Sequence, residues 1–146
     1  MQRAIFLDML AQNELTCSFA LNRITADNSR LRLTETAASV GFIYRHLAET
    51  MHLFGTFFGI PTPVQNTTMG RTDEGDMYEL AESQRLLAEG YAQFRKLVET
   101  TADEVWLQPI DTPFFGTVSW ARLFAHVLFH NAHHAGQIAM TLAHGK

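Results

Sequence analysis

The chain has 146 residues, a formal net charge of -4 at pH 7 and one cysteine, Cys17. Its length suits a single domain, residues 1–146, because domains commonly have roughly 100–200 residues. The 11 lysines and arginines are scattered, which argues against nucleic-acid binding through phosphates, and a lone cysteine excludes an intramolecular disulfide.

We do not expect the N-terminal segment to be a signal peptide. Its apolar run is interrupted by Asp8, and no small-residue cleavage site follows. No uncharged stretch reaches the roughly 18 residues that indicate a membrane span. We therefore expect a cytoplasmic protein without a membrane partner.

Apolar side chains recur every three or four residues in the first half of the chain, which predicts two helices. The first runs from about residue 2 to 26 and the second from about 36 to 58. Thr34 or Thr36 can cap the second helix by accepting a backbone N–H. Prolines follow it, and because proline cannot continue a helix, the segment 59–72 is predicted to be a loop.

The second half of the chain predicts two further helices. One runs from about 73 to 101, with Asp73 as a good N-cap. The other runs from about 117 to 144, with Thr117 or Ser119 as its cap.

The connection between these two helices, about residues 102–116, contains prolines and a glycine and is predicted to be a loop. No segment shows the sustained alternation of a strand. Four long helices with three connections are typical of an all-α, antiparallel four-helix bundle.

Five of the seven histidines lie in residues 126–146. His126, His130 and His134 form one stripe, because four residues advance a helix by only about 40° from a full turn. His133 points elsewhere. Residues four apart are about 6 Å apart along the axis, so either His126 with His130 or His130 with His134 could hold one metal ion.

A catalytic metal site needs a third protein ligand, which a facing helix would supply. The second helix offers His46, Glu49 and His52. His46 and His52 lie about 240° apart around the axis and cannot share a face. Spacing alone leaves open whether these histidines bind metal or are ordinary residues of a helical protein. His126 is expected to support the structure or the site rather than bind the ion, and His133 and His144 to lie at the surface.

The segment His126–Ile138 resembles the C-terminal signature of the DinB-like (DinB/YfiT) family of four-helix bundles. The resemblance implies that His130 and His134 are metal ligands, and that His46, in its apolar context on the second helix, is the third. Many members carry arginine after the second of these C-terminal histidines, where this chain has Ala135. Any substrate contact made by that arginine is therefore absent here.

The resemblance implies a divalent transition metal ion, zinc or nickel first, and several activities. Members include thiol transferases that use bacillithiol and mycothiol-dependent isomerases, so one hypothesis is a transferase that uses a low-molecular-weight thiol, with Gln137 orienting a ligand. A second is a metal-dependent hydrolase that activates water, with Glu49 as general acid or base. A third is a non-catalytic, stress-related metal-binding bundle. The sequence leaves these alternatives open.

Aromatic residues are frequent near the predicted site, and most have the helical spacing of core residues. Phe57 and Phe114, at a helix end and in a loop, are the better candidates for lining a pocket for a small-molecule substrate. Because many members of the family are dimers, we also expect a homodimer.

Overall fold

Four long helices account for most of residues 2–146, which the computed structural model describes. They are α1 (Gln2–Leu21), α2 (Val40–Phe57), α3 (Leu80–Thr100) and α4 (Trp120–His144). None of these four helices is long and apolar enough to cross a membrane. The all-α four-helix bundle predicted from the apolar spacing is confirmed.

The packing order of the helices differs from their order in the chain. The packed pairs are α2 with α3, α1 with α4, α2 with α4, and α1 with α3. Consecutive helices α1 and α2 are therefore diagonal to each other, and so are α3 and α4. This arrangement makes α2 and α4 neighbours, and these are the two helices that carry the candidate metal ligands.

The connection before α4 contains secondary structure that the sequence did not predict. A short 3₁₀ helix covers Asp103–Leu107, and an antiparallel hairpin follows, with strands β1 (Pro109–Thr112) and β2 (Gly116–Ser119). The prediction of a plain loop at 102–116 was wrong because strands of four residues are too short for alternation to register. The second strand leads directly into α4, whose N-cap is Ser119, one of the two predicted caps.

The first helix ends earlier than the predicted residue 26. Beyond Leu21, the side chain of Asn28 accepts from the backbone N–H of Thr25 and donates to the carbonyl of Arg23. These side-chain bonds offer the backbone an alternative to the helical ladder, so they end the helix where apolar spacing alone would continue it.

The starts of α2 and α3 were also predicted too early. Ser39, rather than Thr34 or Thr36, caps α2 by accepting from the N–H of Phe42. Asp73 does not cap α3; it accepts from the backbone N–H of Ser39 at 2.8 Å and pairs with Arg32 at 2.9 Å. Asp73 therefore joins two connecting segments, and α3 begins only at Leu80.

The core contains a polar network as well as large apolar side chains. The hydroxyl of Tyr91 on α3 donates to Oδ1 of Asn13 on α1 at 2.9 Å. Asn131 on α4 donates to the same oxygen at 3.2 Å. Three helices are thus joined by hydrogen bonds in the interior, where a polar group needs a partner.

Candidate metal centre

Three histidines from two helices meet at the α2–α4 interface. His46 on α2 and His130 and His134 on α4 each offer one ring nitrogen, and these nitrogens lie within 4.8 Å of one another. The ring centroids of His46 lie 5.2 Å from His130 and 4.7 Å from His134. The fold therefore brings together the three histidines that the family resemblance implied as ligands.

The two histidines of α4 approach each other closely. They are one helical turn apart, and their Nε2 atoms are 3.1 Å apart. Two nitrogen lone pairs at this distance repel each other unless a proton or a cation lies between them. This pair is suited to two neighbouring positions on one metal ion.

Side-chain partners occupy the outer ring nitrogens of two ligands. Nδ1 of His46 lies 3.2 Å from the hydroxyl oxygen of Thr68, and Nδ1 of His134 lies 2.6 Å from Oε1 of Gln137. Because these nitrogens are engaged, Nε2 of each ring remains for an ion. Nδ1 of His130 is buried and has no hydrogen-bond partner among the described residues.

Burial keeps the three imidazoles in the neutral form that binds metal. It lowers the pKa of His46, and it lowers the pKa of His134 to about 4. Burial, with added repulsion from the neighbouring imidazoles, lowers the pKa of His130 to about 2. At neutral pH all three rings therefore present lone pairs rather than charges.

The other four histidines lie outside this cluster, including His126, which residue spacing alone had left open as a partner of His130. The His126 ring packs between Phe54 and Phe115, with centroids at 5.2 Å and 4.4 Å. His52 is buried on another face of α2, where its Nε2 lies 2.8 Å from the carbonyl oxygen of Leu86. His133 is exposed, and so is His144 near the end of α4.

Glu49 is not free to act as a general acid or base. Its side chain is buried and accepts from the N–H and the hydroxyl of Thr67, at 2.7 and 2.8 Å, and from the hydroxyl of Thr68 at 3.0 Å. Arg45 lies 3.8 Å away on the same helix. The carboxylate thus holds the loop that carries Thr68, and a role for Glu49 as general acid or base does not fit this geometry.

Thr68 is a contributor to the site that the sequence analysis missed. It lies in the connection between α2 and α3, where residue spacing gives no information about which helix a side chain will meet. The only signal in the sequence is a glutamate three residues after His46, on the same side of α2. The presence of Glu49 at this position does not indicate that a threonine from a distant loop would lie between Glu49 and His46.

A cavity of about 410 Å³ opens beside His46 and His134. Its wall is largely apolar, with Phe42 and Ile43 among the lining residues, and Arg71 supplies a positive charge. Among the described residues that line this cavity there is no carboxylate.

Phe57 and Phe114, which the sequence analysis favoured for this pocket, contact each other instead. Their ring centroids are 5.9 Å apart, and neither residue lines the cavity. Position at a helix end or in a loop was therefore a poor guide to the pocket wall.

Comparison with known proteins supports the fold and the family. The family model of the DinB superfamily matches residues 11–138. YfiT from Bacillus subtilis, described as a probable metal-dependent hydrolase with an unusual four-helix bundle topology, has a TM-score of 0.73 at 15% identity, over 96% of this chain and 85% of that one. At this identity the likeness establishes a shared fold. No curated protein matches the sequence.

Proposed function

The chain belongs to the DinB superfamily, as its C-terminal motif predicted, and we propose that it is a metal-dependent hydrolase of a small molecule. In this proposal His46, His130 and His134 hold one divalent transition metal ion, zinc or nickel first. The observation that carries the proposal is the convergence of three neutral imidazoles, two of which, those of His46 and His134, line a cavity. YfiT, with the same fold, is described as a probable metal-dependent hydrolase.

The donor set fits such an ion. Imidazole nitrogens suit zinc and nickel, and three protein ligands leave a coordination position for another molecule. When bound, a divalent ion lowers the pKa of a water or thiol next to it, which makes that molecule a nucleophile near neutral pH.

The residues of the chain would position the substrate and exclude water. Phe42 and Ile43 offer an apolar surface beside the histidines, which suits a substrate with an apolar body. The guanidinium of Arg71 suits a carboxylate or another anionic group on that substrate. Thr68 and Gln137 hold the outer nitrogens of two ligands, which keeps their rings in place.

A second candidate function is transfer of a low-molecular-weight thiol to an electrophile. The observation that favours it is the lack of a carboxylate among the described residues that line the cavity, because water attack commonly uses a general base. A thiol is acidic enough to ionise without one when a cation is close. In this alternative Arg71 would bind an acidic group of the thiol.

Elemental analysis of the purified protein tests the metal site. We compare it with the His130→Ala, His134→Ala double variant, and use His133→Ala as the matched control, since His133 is exposed on the same helix. We expect about one equivalent of transition metal in the parent and in the control, and little in the double variant. A parent that takes up no metal after reconstitution would show the proposal to be wrong.

Activity assays on the metal-loaded protein then separate the two functions. Hydrolysis of esters or amides with an apolar body and an acidic group supports the hydrolase. Turnover of an electrophile only when a thiol is added supports the transferase. Metal binding without either reaction leaves a non-catalytic metal-binding bundle.

We also propose that the protein forms a homodimer through the outer face of α1 and α4. Large apolar side chains are exposed on these two neighbouring helices, among them Ile5, Met9 and Phe19 on α1 and Phe129 and Met140 on α4. Because exposed apolar patches often mark protein–protein contacts, a second copy of the chain is a fitting partner for this face.

A further inference from the structure

We infer that Thr68, held by the buried carboxylate of Glu49, sets the ring orientation and the tautomer of His46. Neither residue is among the three predicted ligands. This inference rests on the proposed metal site for its effect on binding, although its structural part concerns the metal-free protein as well. Thr68 and Glu49 are positioning residues in this scheme.

Glu49 is a fixed acceptor behind the site. Only 2% of the residue is exposed, and its two oxygens accept three hydrogen bonds from Thr67 and Thr68. A buried carboxylate without such donors would be costly, so the loop and the carboxylate hold each other in place. The position of Thr68 is thus set by a contact about one helical turn beyond His46.

The hydroxyl of Thr68 has one proton, and Glu49 determines where it goes. A carboxylate can only accept, so the proton of Thr68 points to Oε2 of Glu49 at 3.0 Å. The hydroxyl oxygen of Thr68 lies 3.2 Å from Nδ1 of His46 and can offer only a lone pair to that nitrogen. Nδ1 of His46 must therefore carry the proton, which leaves Nε2 as the lone-pair atom for the ion.

The effect extends beyond holding the loop in place. An imidazole in water exchanges its proton between both nitrogens, and only one of the two forms can use Nε2 as a ligand. Fixing the Nδ1–H form and the ring direction before the ion arrives removes a cost from binding. Thr68 is itself buried, so water cannot readily replace its hydroxyl as the acceptor.

Thr67 offers a matched control for this inference. Its hydroxyl also donates to Glu49, at 2.8 Å, and it precedes Thr68 in the same loop, but Thr68 is the one that contacts His46. Thr67→Val and Thr68→Val each remove one hydroxyl group that donates to the carboxylate of Glu49. Thr68→Ser keeps the hydroxyl and serves as the rescue variant.

The experiment measures metal affinity by competition with a coloured zinc chelator, together with the thermal stability of each metal-free variant. We expect Thr68→Val to weaken zinc binding by about 10–100-fold and Thr68→Ser to restore most of it. Thr67→Val should bind zinc within about threefold of the parent, even where its stability falls as much as that of Thr68→Val. Equal loss of affinity in both valine variants, or no loss in Thr68→Val, would overturn the inference.

The tautomer is measured separately on the metal-free protein, by long-range nitrogen-15 NMR of the histidine rings. We expect the Nδ1–H form of His46 in the parent and a shift toward the Nε2–H form in Thr68→Val. An Nε2–H form in the parent would contradict the inference. If the parent binds no metal, the proposed function fails, while this NMR measurement still decides what Thr68 does.

Discussion

Adjacent residues on α4 have very different surroundings. His134 lies in the cluster with His46 and His130, and burial lowers its pKa to about 4. His133, one residue earlier, is exposed and stacks on Phe129 with ring centroids 6.1 Å apart. About 100° of helical rotation separates the two side chains, which is enough to place one in the site and the other in solvent.

Arg71 is the residue whose charge should select the substrate. Its substitution by Gln should weaken the binding of an apolar carboxylate such as hexanoate by about tenfold, because a charge-assisted hydrogen bond is lost. Zinc affinity should not change, and the neutral amide hexanamide should bind the parent and the variant equally. Isothermal titration of both ligands checks this.

The control for Arg71→Gln is Arg122→Gln, an exposed arginine at the start of α4 that does not line the cavity. Two results would count against a substrate role for Arg71. One is hexanoate binding that is unaffected by Arg71→Gln, and the other is hexanoate binding that disappears only when the metal is removed.

Contacts between elements, rather than an intrinsic helix signal, set the start of α3. Asp73 is a good N-cap by residue type, yet it bonds to Ser39 and Arg32 in the preceding connection. The carboxylate of Asp73 thereby accepts a hydrogen bond from the backbone N–H of Ser39 and pairs with the guanidinium of Arg32. A tertiary contact of this kind overrides a local capping preference, and the helix begins later.

Asp73 should also make stability depend on pH. Burial acts to raise its pKa, but hydrogen bonds from Ser39 and Gly75 and the charge of Arg32 outweigh burial, so the folded pKa is lowered from 3.8. A lowered carboxyl pKa stabilises the fold above the unfolded pKa, and this stabilisation is lost as the pH falls through the folded value.

Asp73→Asn should therefore reduce the free energy of unfolding at pH 7, and the difference from the parent should shrink as the pH falls below about 4. Urea unfolding of the metal-free protein at several pH values checks this. Asp76→Asn, at an exposed position nearby, is the control. A difference that stays constant down to pH 2 would contradict the assignment.

The interior hydrogen bonds between α1, α3 and α4 give a second prediction for contacts between elements. Tyr91→Phe removes the hydroxyl that donates to Asn13, and it should lower the free energy of unfolding by about 0.5–1.5 kcal/mol. Tyr44→Phe is the control, because the buried Tyr44 forms no side-chain hydrogen bond with another described residue. Denaturant unfolding should show a smaller change for it. Equal changes would mean that the network contributes little.

At the scale of the whole molecule, the outer face of α1 and α4 is the surface that we propose as the dimer contact. Each of these helices has 20 residues or more, so each is at least about 30 Å long. Two neighbouring helices of that length offer a face comparable with the roughly 800 Å² that each partner buries in a standard interface. The large apolar side chains exposed on these helices would supply the driving force for association.

Phe19→Arg should convert the proposed dimer to a monomer, because it places two like charges in an apolar interface. Light scattering after size exclusion should then give the 16.5 kDa of one chain, and the parent should give twice that mass. Phe114→Arg is the matched control, since Phe114 is also an exposed phenylalanine but lies at the tip of the hairpin. A monomeric parent would contradict the dimer, and dissociation of Phe114→Arg alone would place the interface elsewhere.

The sequence pattern by itself determined the features that depend only on the geometry of a single helix. Apolar spacing was sufficient to predict four helices, and the four-residue spacing of His130 and His134 was sufficient to predict a pair that could share an ion. Both results follow from the 3.6-residue period of a helix, which involves no contact with the rest of the chain. His46 was predicted to be the third ligand through the family motif and its apolar setting.

Only the tertiary structure decided what lies between the helices. It determined the diagonal placement of α1 and α2, the use of Asp73 as a link between loops, and the position of Thr68 between Glu49 and His46. It also determined which side chains line the cavity. These features depend on contacts between residues far apart in the chain, and a pattern that repeats every three or four residues contains no information about them. The three histidines that meet at the α2–α4 interface were therefore predictable from sequence as candidate ligands, whereas the contact of Thr68 with His46 was not.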